Sequence, residues 1–418
     1  MDTSQITSVH LMKGVPDVIV VGGGPCGSVS AMHLAKHGAD VTVFEEHGQI
    51  GLPSHCAGHV SISGLNRLRL FPLPAKIIES TFRGATFHSP GGGTFSVRFS
   101  SPVTCSVNRA LFDTYIAEMA TAAGATYELE SRVGSLLIKD KFVKGVVVRK
   151  KGGTESVPAK IVVDAEGVSS RLVKQLGLRT LDRCALLNAV EAEVEGVRNV
   201  DPDMVEVFLG KEYAPGFYAW LMPKGNGNAK IGLAARSGNP KELLQRFMFK
   251  HRAASDKLRM AKIVQIAFHP VTLGGPIQAA YSNGFLVVGD AASHVKPTTG
   301  GGVILGMTCA EIAAQVGVES LRGDDSSASF LSLYQKRCKQ VLGFDMNIML
   351  RTRRMLDAMS DRKIGELVGL CTTLGLDKTL LNVKDIDFQG KSLLHILGSP
   401  RTLSLLGYLF FFYLTANP

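Results

Sequence analysis

The chain has 418 residues, is 45% hydrophobic and carries a formal net charge of +10. The charge does not mark a nucleic-acid binder, because no basic run is interleaved with aromatics and no helix-turn-helix or RNA-binding signature appears. Seven cysteines without metal-like pair spacing, behind an N-terminus with no apolar leader, argue against secretion and a metal centre and for a reducing cytoplasm.

In chain order, the apolar run Val18–Val21 predicts a buried strand that feeds Gly22-Gly23-Gly24-Pro25-Cys26-Gly27 and then a helix. Each glycine has a physical reason: Gly22 makes the tight turn, Gly24 lets backbone approach a pyrophosphate, and Gly27 lets helix and strand pack closely. The helix N-terminus offers free N–H groups and the positive end of its dipole to phosphates. A second strand, Asp40–Phe44, delivers Glu45 about 20 residues on, where a carboxylate meets adenosine ribose hydroxyls. This unit alone fits NAD and FAD equally well.

Next comes a thiol between proline and glycine, Pro53-Ser54-His55-Cys56-Ala57-Gly58, and then a helix start with acid one turn on, Asn108-Arg109 to Asp113. A second buried run, Ile161–Val163, ends in Asp164-Ala165-Glu166-Gly167-Val168-Ser169-Ser170-Arg171. Alternating stretches at Thr81–Phe87, Gly93–Phe99, Ala189–Val194, Met204–Leu209, Phe217–Met222 and Ala229–Ala234 predict an antiparallel sheet, with a hairpin turn at Gly225–Asn228. Tyr218, Trp220 and Met222 share one face of their strand. A third buried run, Phe285–Val288, precedes Gly289-Asp290-Ala291-Ala292, Pro297 and Gly300-Gly301-Gly302. Residues 336–418 read as helices, basic from Lys336 to Lys363 and ending in the apolar run Leu403–Leu414. That run is shorter than the roughly 20 residues a spanning helix needs, so it is expected to pack into the protein, close a lipid tunnel or lie in a membrane interface.

These motifs, in this order, resemble the flavoproteins of the p-hydroxybenzoate hydroxylase fold and, within them, the geranylgeranyl reductase family. The resemblance implies an α/β protein: a Rossmann-like FAD-binding domain (residues 1–78, 103–183 and 278–335), an antiparallel-sheet substrate domain (79–102 and 184–277) and a helical C-terminal region (336–418). It implies FAD as cofactor, held by Gly22, Gly24, Pro25, Cys26, Gly27, Glu45, Arg109, Asp164, Gly167, Gly289, Asp290, Pro297, Gly301 and Gly302. Asp290 would take the ribityl chain, and the helix after Gly302 would aim its positive end at the flavin. Pro53–Gly58 resembles the family's P-x-x-C-x-G element, which faces the isoalloxazine. Tyr218–Pro223 resembles its Y-x-W-x-F-P strand but departs from it at Met222.

The resemblance further implies saturation of C=C bonds in geranylgeranyl chains, most readily those of membrane phospholipid precursors. An isolated alkene needs a proton as well as a hydride, and a thiol carries its proton near neutral pH. Cys56 is the candidate donor, with His55 as neighbouring competitor, and Tyr218, Trp220 and Met222 are candidate substrate contacts. The expected partners are an isoprenoid lipid, a peripheral membrane surface on the cytoplasmic side, and a transient donor, NADPH or a ferredoxin-like protein, since no second nucleotide unit appears. A monooxygenase or halogenase of the same fold, and a non-enzymatic prenyl-binding chaperone, are the alternatives. Cys26, Cys105, Cys184 and Cys371 are expected to be small buried residues, and Cys309 and Cys338 lie on successive helices where they can meet.

Overall fold

A computed structural model describes residues 14–383 and 385–392 of the chain. The apolar run Leu403–Leu414 therefore lies outside the described residues.

Four-residue apolar runs without alternation fold as strands buried on both faces. Val18–Val21, Val41–Phe44 and Ile161–Asp164 are such strands, and each is buried along its whole length. They pair in parallel at the centre of a six-stranded sheet that continues through Phe285–Val287 to the short edge Tyr281–Ser282, and on the other side to Thr126–Glu128. Register places Val21 beside both Phe44 and Asp164, and Asp164 beside Val287. All three sequence motifs thus leave the sheet at one carboxyl edge, the position where open α/β sheets bind ligands. Helices Pro25–Lys36 and Val303–Gly323 pack against each other and cover the sheet. The second of these is the one helix among the described residues long and apolar enough to cross a membrane, yet 72% of the relevant window is buried. Its apolarity serves the core.

The other lobe is a seven-stranded sheet in the order Lys262–Thr272, Leu186–Glu195, Asn228–Ala235, Tyr218–Gly225, Met204–Leu209, Gly84–His88, Thr94–Arg98. It is mixed rather than purely antiparallel, since Met204–Leu209 pairs in parallel with Gly84–His88. The expected single strand Thr81–Phe87 is two. Ile78–Phe82 joins a small sheet with Thr104–Val107 and His59–Ser61, while Gly84–His88 joins the large one. The break falls at Arg83, and the second strand begins at Gly84, where a Cβ would stand 1.8 Å from the Val97 carbonyl oxygen. The long edge strand Lys262–Thr272 was not among the expected elements; its exposed, weakly alternating pattern hides it. The hairpin turn at Gly225–Asn228 forms as expected, with Asn226 and Gly227 both at positive φ, the primed-turn geometry that suits strand twist.

Helices Ala328–Ala358, Asp361–Thr373 and Leu376–Leu380 make up the described C-terminal part. The basic stretch is not one solvated face: Arg353 is 8% exposed, and Arg337 pairs with Glu319. Cys309 and Cys338 do meet, as buried free thiols whose sulfurs lie within 4.8 Å of each other and of a His294 ring nitrogen. Cys184, expected to be buried, is exposed because it sits in a one-turn connection, Arg183–Ala185, between the lobes' strands.

Candidate active site

The carboxyl edge of the parallel sheet opens into a continuous cleft of about 1180 Å³ that runs under the seven-stranded sheet toward the C-terminal helices. Its near end is built from backbone. Gly22 has φ +100° and packs so closely that a Cβ would lie 2.6 Å from the Ala165 carbonyl oxygen. A Cβ on Gly27 would lie 1.9 Å from the Gly22 carbonyl oxygen. At Gly24, by contrast, a Cβ meets nothing within 4 Å. The glycine there leaves space open to the cleft, as close approach of a pyrophosphate requires. The Gly22–Gly24 turn is held by Ser28 Oγ donating to the Gly23 carbonyl at 3.0 Å. Glu45 accepts from the Gly23 N–H at 2.8 Å, and its other oxygen lies 2.6 Å from His47 Nδ1.

Two helices aim their N-termini at this cleft, and neither Gly24 nor Gly302 caps its helix with a side chain. The free N–H groups there favour anions. Asp290 lines the cleft beside Gly302, where a Cβ would come 2.8 Å from its Oδ1. Burial pushes the Asp290 carboxyl above its ordinary pKa, against the pull of Arg109 and His55. Gly167, Gly289 and Gly301 also line the cleft, whereas Pro297 is buried behind it. Cys26 touches the cleft but is mainly a spacer: its sulfur fills the gap left by Gly289 and Gly306. These groups fit FAD: open glycine backbone and two free helix ends for phosphate, Glu45 for ribose, Asp290 for a polyol chain.

Asp164 departs from expectation. It is fully buried, does not line the cleft, and accepts from the Glu166 N–H at 3.0 Å. Its burial raises its pKa, helped by neighbouring Glu166. Asp164 shapes the turn that presents Gly167 and lies beneath the cleft surface.

Cys56 and His55 lie in the middle of the cleft. Arg109, the first residue of helix Arg109–Ala122, gives Nε and Nη2 to Asp113 at 2.9 Å each, and its charge acts on Cys56 across the cleft. The i,i+4 fork explains the sequence pairing of Arg109 with Asp113. His55 stacks on His269 with ring centroids 4.1 Å apart. Burial, His269 and Arg109 together push the His55 pKa down to about 4, so its ring is neutral at physiological pH.

The seven-stranded sheet roofs this region. Tyr218, Trp220 and Met222 all face the cleft, as strand alternation requires. Tyr218 donates to the Thr299 carbonyl at 2.8 Å, tying the roof to the glycine turn. Trp220 lies across Gly232, where a Cβ would stand 2.4 Å from the indole, and its Nε1 is buried without a partner. Met222 is 2% exposed and packs with Phe82, Val205 and Ala57. Beyond them the cleft turns apolar, walled by Phe87, Phe95 and Val207 on one side and Ile364, Leu367 and Val368 on the other.

Sequence reasoning missed Glu191 and its neighbours. Glu191 lines the cleft and also a smaller polar cavity shared with Glu79, Arg109, Glu193 and Lys230. Lys230, 4% exposed, pairs with Glu79 at 2.7 Å. The signal was present: Glu191, Glu193 and Lys230 occupy the same inward face as Ala189 and Trp220 in adjoining strands. Burial, with Glu193 and Glu79, raises the Glu191 pKa to about 7 against the attraction of Lys230 and Arg109. A carboxyl raised from its unfolded value stabilises the fold while protonated, and that contribution is lost as pH rises through about 7. Between pH 5 and 8, wild type should therefore lose on the order of 2–3 kcal/mol relative to Glu191→Gln. Denaturant midpoints of the two holoproteins measure this; a pH-independent difference would show that Glu191 is charged in the fold throughout.

The sequence matches the FAD binding domain family over residues 16–343. A digeranylgeranylglycerophospholipid reductase of Methanopyrus kandleri is 34% identical over 357 residues, covering 84% of this chain and 89% of that protein. One from Methanothermobacter thermautotrophicus is 35% identical over 360 residues, covering 84% and 90%. Among solved structures, a geranylgeranyl bacteriochlorophyll reductase-like protein of Thermoplasma acidophilum matches with a TM-score of 0.84 at 27% identity, covering 94% of this chain and 99% of that one. A myxobacterial chondrochloren halogenase matches with a TM-score of 0.66 at 18% identity, covering 94% and 97%; that likeness is one of fold.

Proposed function

The chain belongs to the digeranylgeranylglycerophospholipid reductases, flavoproteins with an FAD-binding domain, and on that footing we propose that it saturates C=C bonds in the geranylgeranyl chains of phospholipid precursors, with Cys56 as the proton donor. Reduced FAD supplies the hydride when bound. The chain's own residues do the rest. Gly22–Gly27, Glu45 and Asp290 hold and orient the cofactor, and the apolar wall formed by Phe87, Phe95, Ile364 and Val368 takes the isoprenoid and keeps water out. A twenty-carbon chain left in water would cost on the order of 15 kcal/mol at about 0.8 per carbon group, so such a wall is needed.

The observation that carries this reading is the position of Cys56. It lines the cleft between the glycine turn and the apolar tunnel, with the Arg109 charge close enough to act on it. As the thiol gives its proton to the second alkene carbon, negative charge grows on sulfur and meets a guanidinium already oriented by Asp113. His55 is neutral there and a far weaker acid than an imidazolium, which favours Cys56 over it. Docking on a membrane surface belongs to the same proposal, supported by exposed Arg351 and Arg354 near the far end of the cleft. The direct test is anaerobic incubation of the reduced holoenzyme with a digeranylgeranyl phospholipid in D2O. Mass spectrometry should show two added hydrogens per saturated bond, both carrying solvent deuterium, because the reduced flavin's N–H and the thiol proton each exchange with water. Oxygenated or halogenated products, or unchanged lipid with oxidised flavin, would overturn the reading.

A further inference from the structure

At the cleft's far mouth, where the loop 210–217 faces helix Ala328–Ala358, Arg353, Arg236 and Lys211 gather around Asp357. Arg353 is 8% exposed and lines the cleft. Its guanidinium lies 5.8 Å over the Phe217 ring and gives Nη2 to Asp357 at 2.6 Å, while Nε is buried with no partner among the described residues. Arg236 shares the same acid, with Nη2 2.9 Å from Asp357 Oδ2. Lys211, exposed and also lining the cleft, spends its ammonium on the Asp357 main-chain carbonyl at 3.2 Å, and its backbone N–H donates to Asp361. One carboxylate is therefore divided between two guanidiniums, and among the described residues the lysine ammonium meets a carbonyl.

A buried arginine with an unspent donor is costly unless something completes it. Apolar Phe217, Leu356 and Ile364 line the cleft beside these charges, so a small anionic group attached to an apolar body would complete the site. We infer that Arg353, Arg236 and Lys211 form the anion subsite that holds the phosphate of the isoprenoid substrate, leaving its chain to run inward past Phe217 and Tyr218 toward Cys56. The inference rests on the reductase reading for the identity of the chain, but the phosphate contact stands on the mouth itself. Arg353 supplies the planar fork that suits a phosphate, and Asp357 keeps that fork oriented from the adjoining turn. Lys211 and Arg236, nearer solvent, draw the headgroup in from bulk.

Binding and turnover test this separately. Geranylgeranyl diphosphate and geranylgeraniol, both in neutral detergent with no vesicles present, are titrated into the holoenzyme by calorimetry and then assayed for reduction. Wild type should prefer the diphosphate, and Arg353→Gln should lower that preference at least ten-fold in both Kd and KM. Lys211→Gln, at an exposed position that does not threaten folding, should lower it several-fold, and Arg353→Lys should restore only part of it. An unchanged ratio in Arg353→Gln and Lys211→Gln, or equal losses on both ligands, would overturn the subsite. If the diphosphate binds with the expected preference yet neither ligand is reduced, the subsite stands and the reductase reading falls. Full preference regained by Arg353→Gln only when anionic vesicles are added would assign the cations to the membrane surface and would likewise overturn it.

Discussion

Gly24→Val should yield a folded but colourless protein. The residue has φ −69°, a value any amino acid adopts, and a Cβ placed there meets no protein atom within 4 Å. Nothing in the fold resists the substitution. The isopropyl group would instead occupy the space between the helix N-terminus and the cleft through which a pyrophosphate must approach its N–H groups. FAD affinity should fall at least about 100-fold, or about 2.7 kcal/mol, while circular dichroism and the main unfolding transition of the apoprotein persist. Gly27→Val is the contrasting control, because its Cβ would stand 1.9 Å from the Gly22 carbonyl oxygen and so must displace the strand–helix turn itself. Retention of stoichiometric FAD by folded Gly24→Val would remove the basis for placing the pyrophosphate at this turn.

Cys56→Ala should separate flavin chemistry from alkene chemistry. The side chain lies in the middle of the cleft and supplies none of the cradle formed by Gly22–Gly27, Glu45 and Asp290. FAD content and reduction by dithionite should match wild type. Alkene saturation should fall by about 100-fold or more, the range for removal of a positioned acid. Cys56→Ser should recover little, since an alkanol is a much weaker acid than a thiol. Deuterium from D2O should enter the residual product with altered facial preference once the positioned proton is gone. Turnover equal to wild type in Cys56→Ala would make the thiol a wall residue, and the search for the donor would move to Glu191, which also lines the cleft and carries a pKa near neutrality, about 7.

Both predictions lean on motifs that are legible in the sequence, and the reason is locality. A strand of four apolar residues, a turn that only glycine can make, and a helix start follow one another within a dozen positions, so backbone sterics and capping decide the outcome with little help from the rest of the chain. Arg109 and Asp113 are one helical turn apart, and their fork follows from that spacing. The alternation from Tyr218 to Met222 likewise dictates a shared face. The glycine turn, the Arg109–Asp113 fork and the shared face of the roof residues could all be read in this way.

What tertiary structure alone decided concerns burial and company. Asp164 sits in a motif of the right pattern, yet it is sealed beneath the turn, because the strands on either side of it, Val18–Val21 and Phe285–Val287, come from segments more than a hundred residues away. His55 and Cys56 are neighbours in the chain, but only burial, with His269 and Arg109 packed around them, pushes the His55 pKa down to about 4 and brings Cys56 close to a guanidinium charge. Glu191 reads as an ordinary strand residue until the sheet faces it toward Lys230 and the cleft. The apolar wall joins hairpin Gly84–Arg98 to helix Asp361–Thr373, and the mouth joins Lys211 and Arg236 to Arg353. Desolvation and Coulomb energies sum over neighbours in space, and when those neighbours are distant in the chain no local pattern carries them.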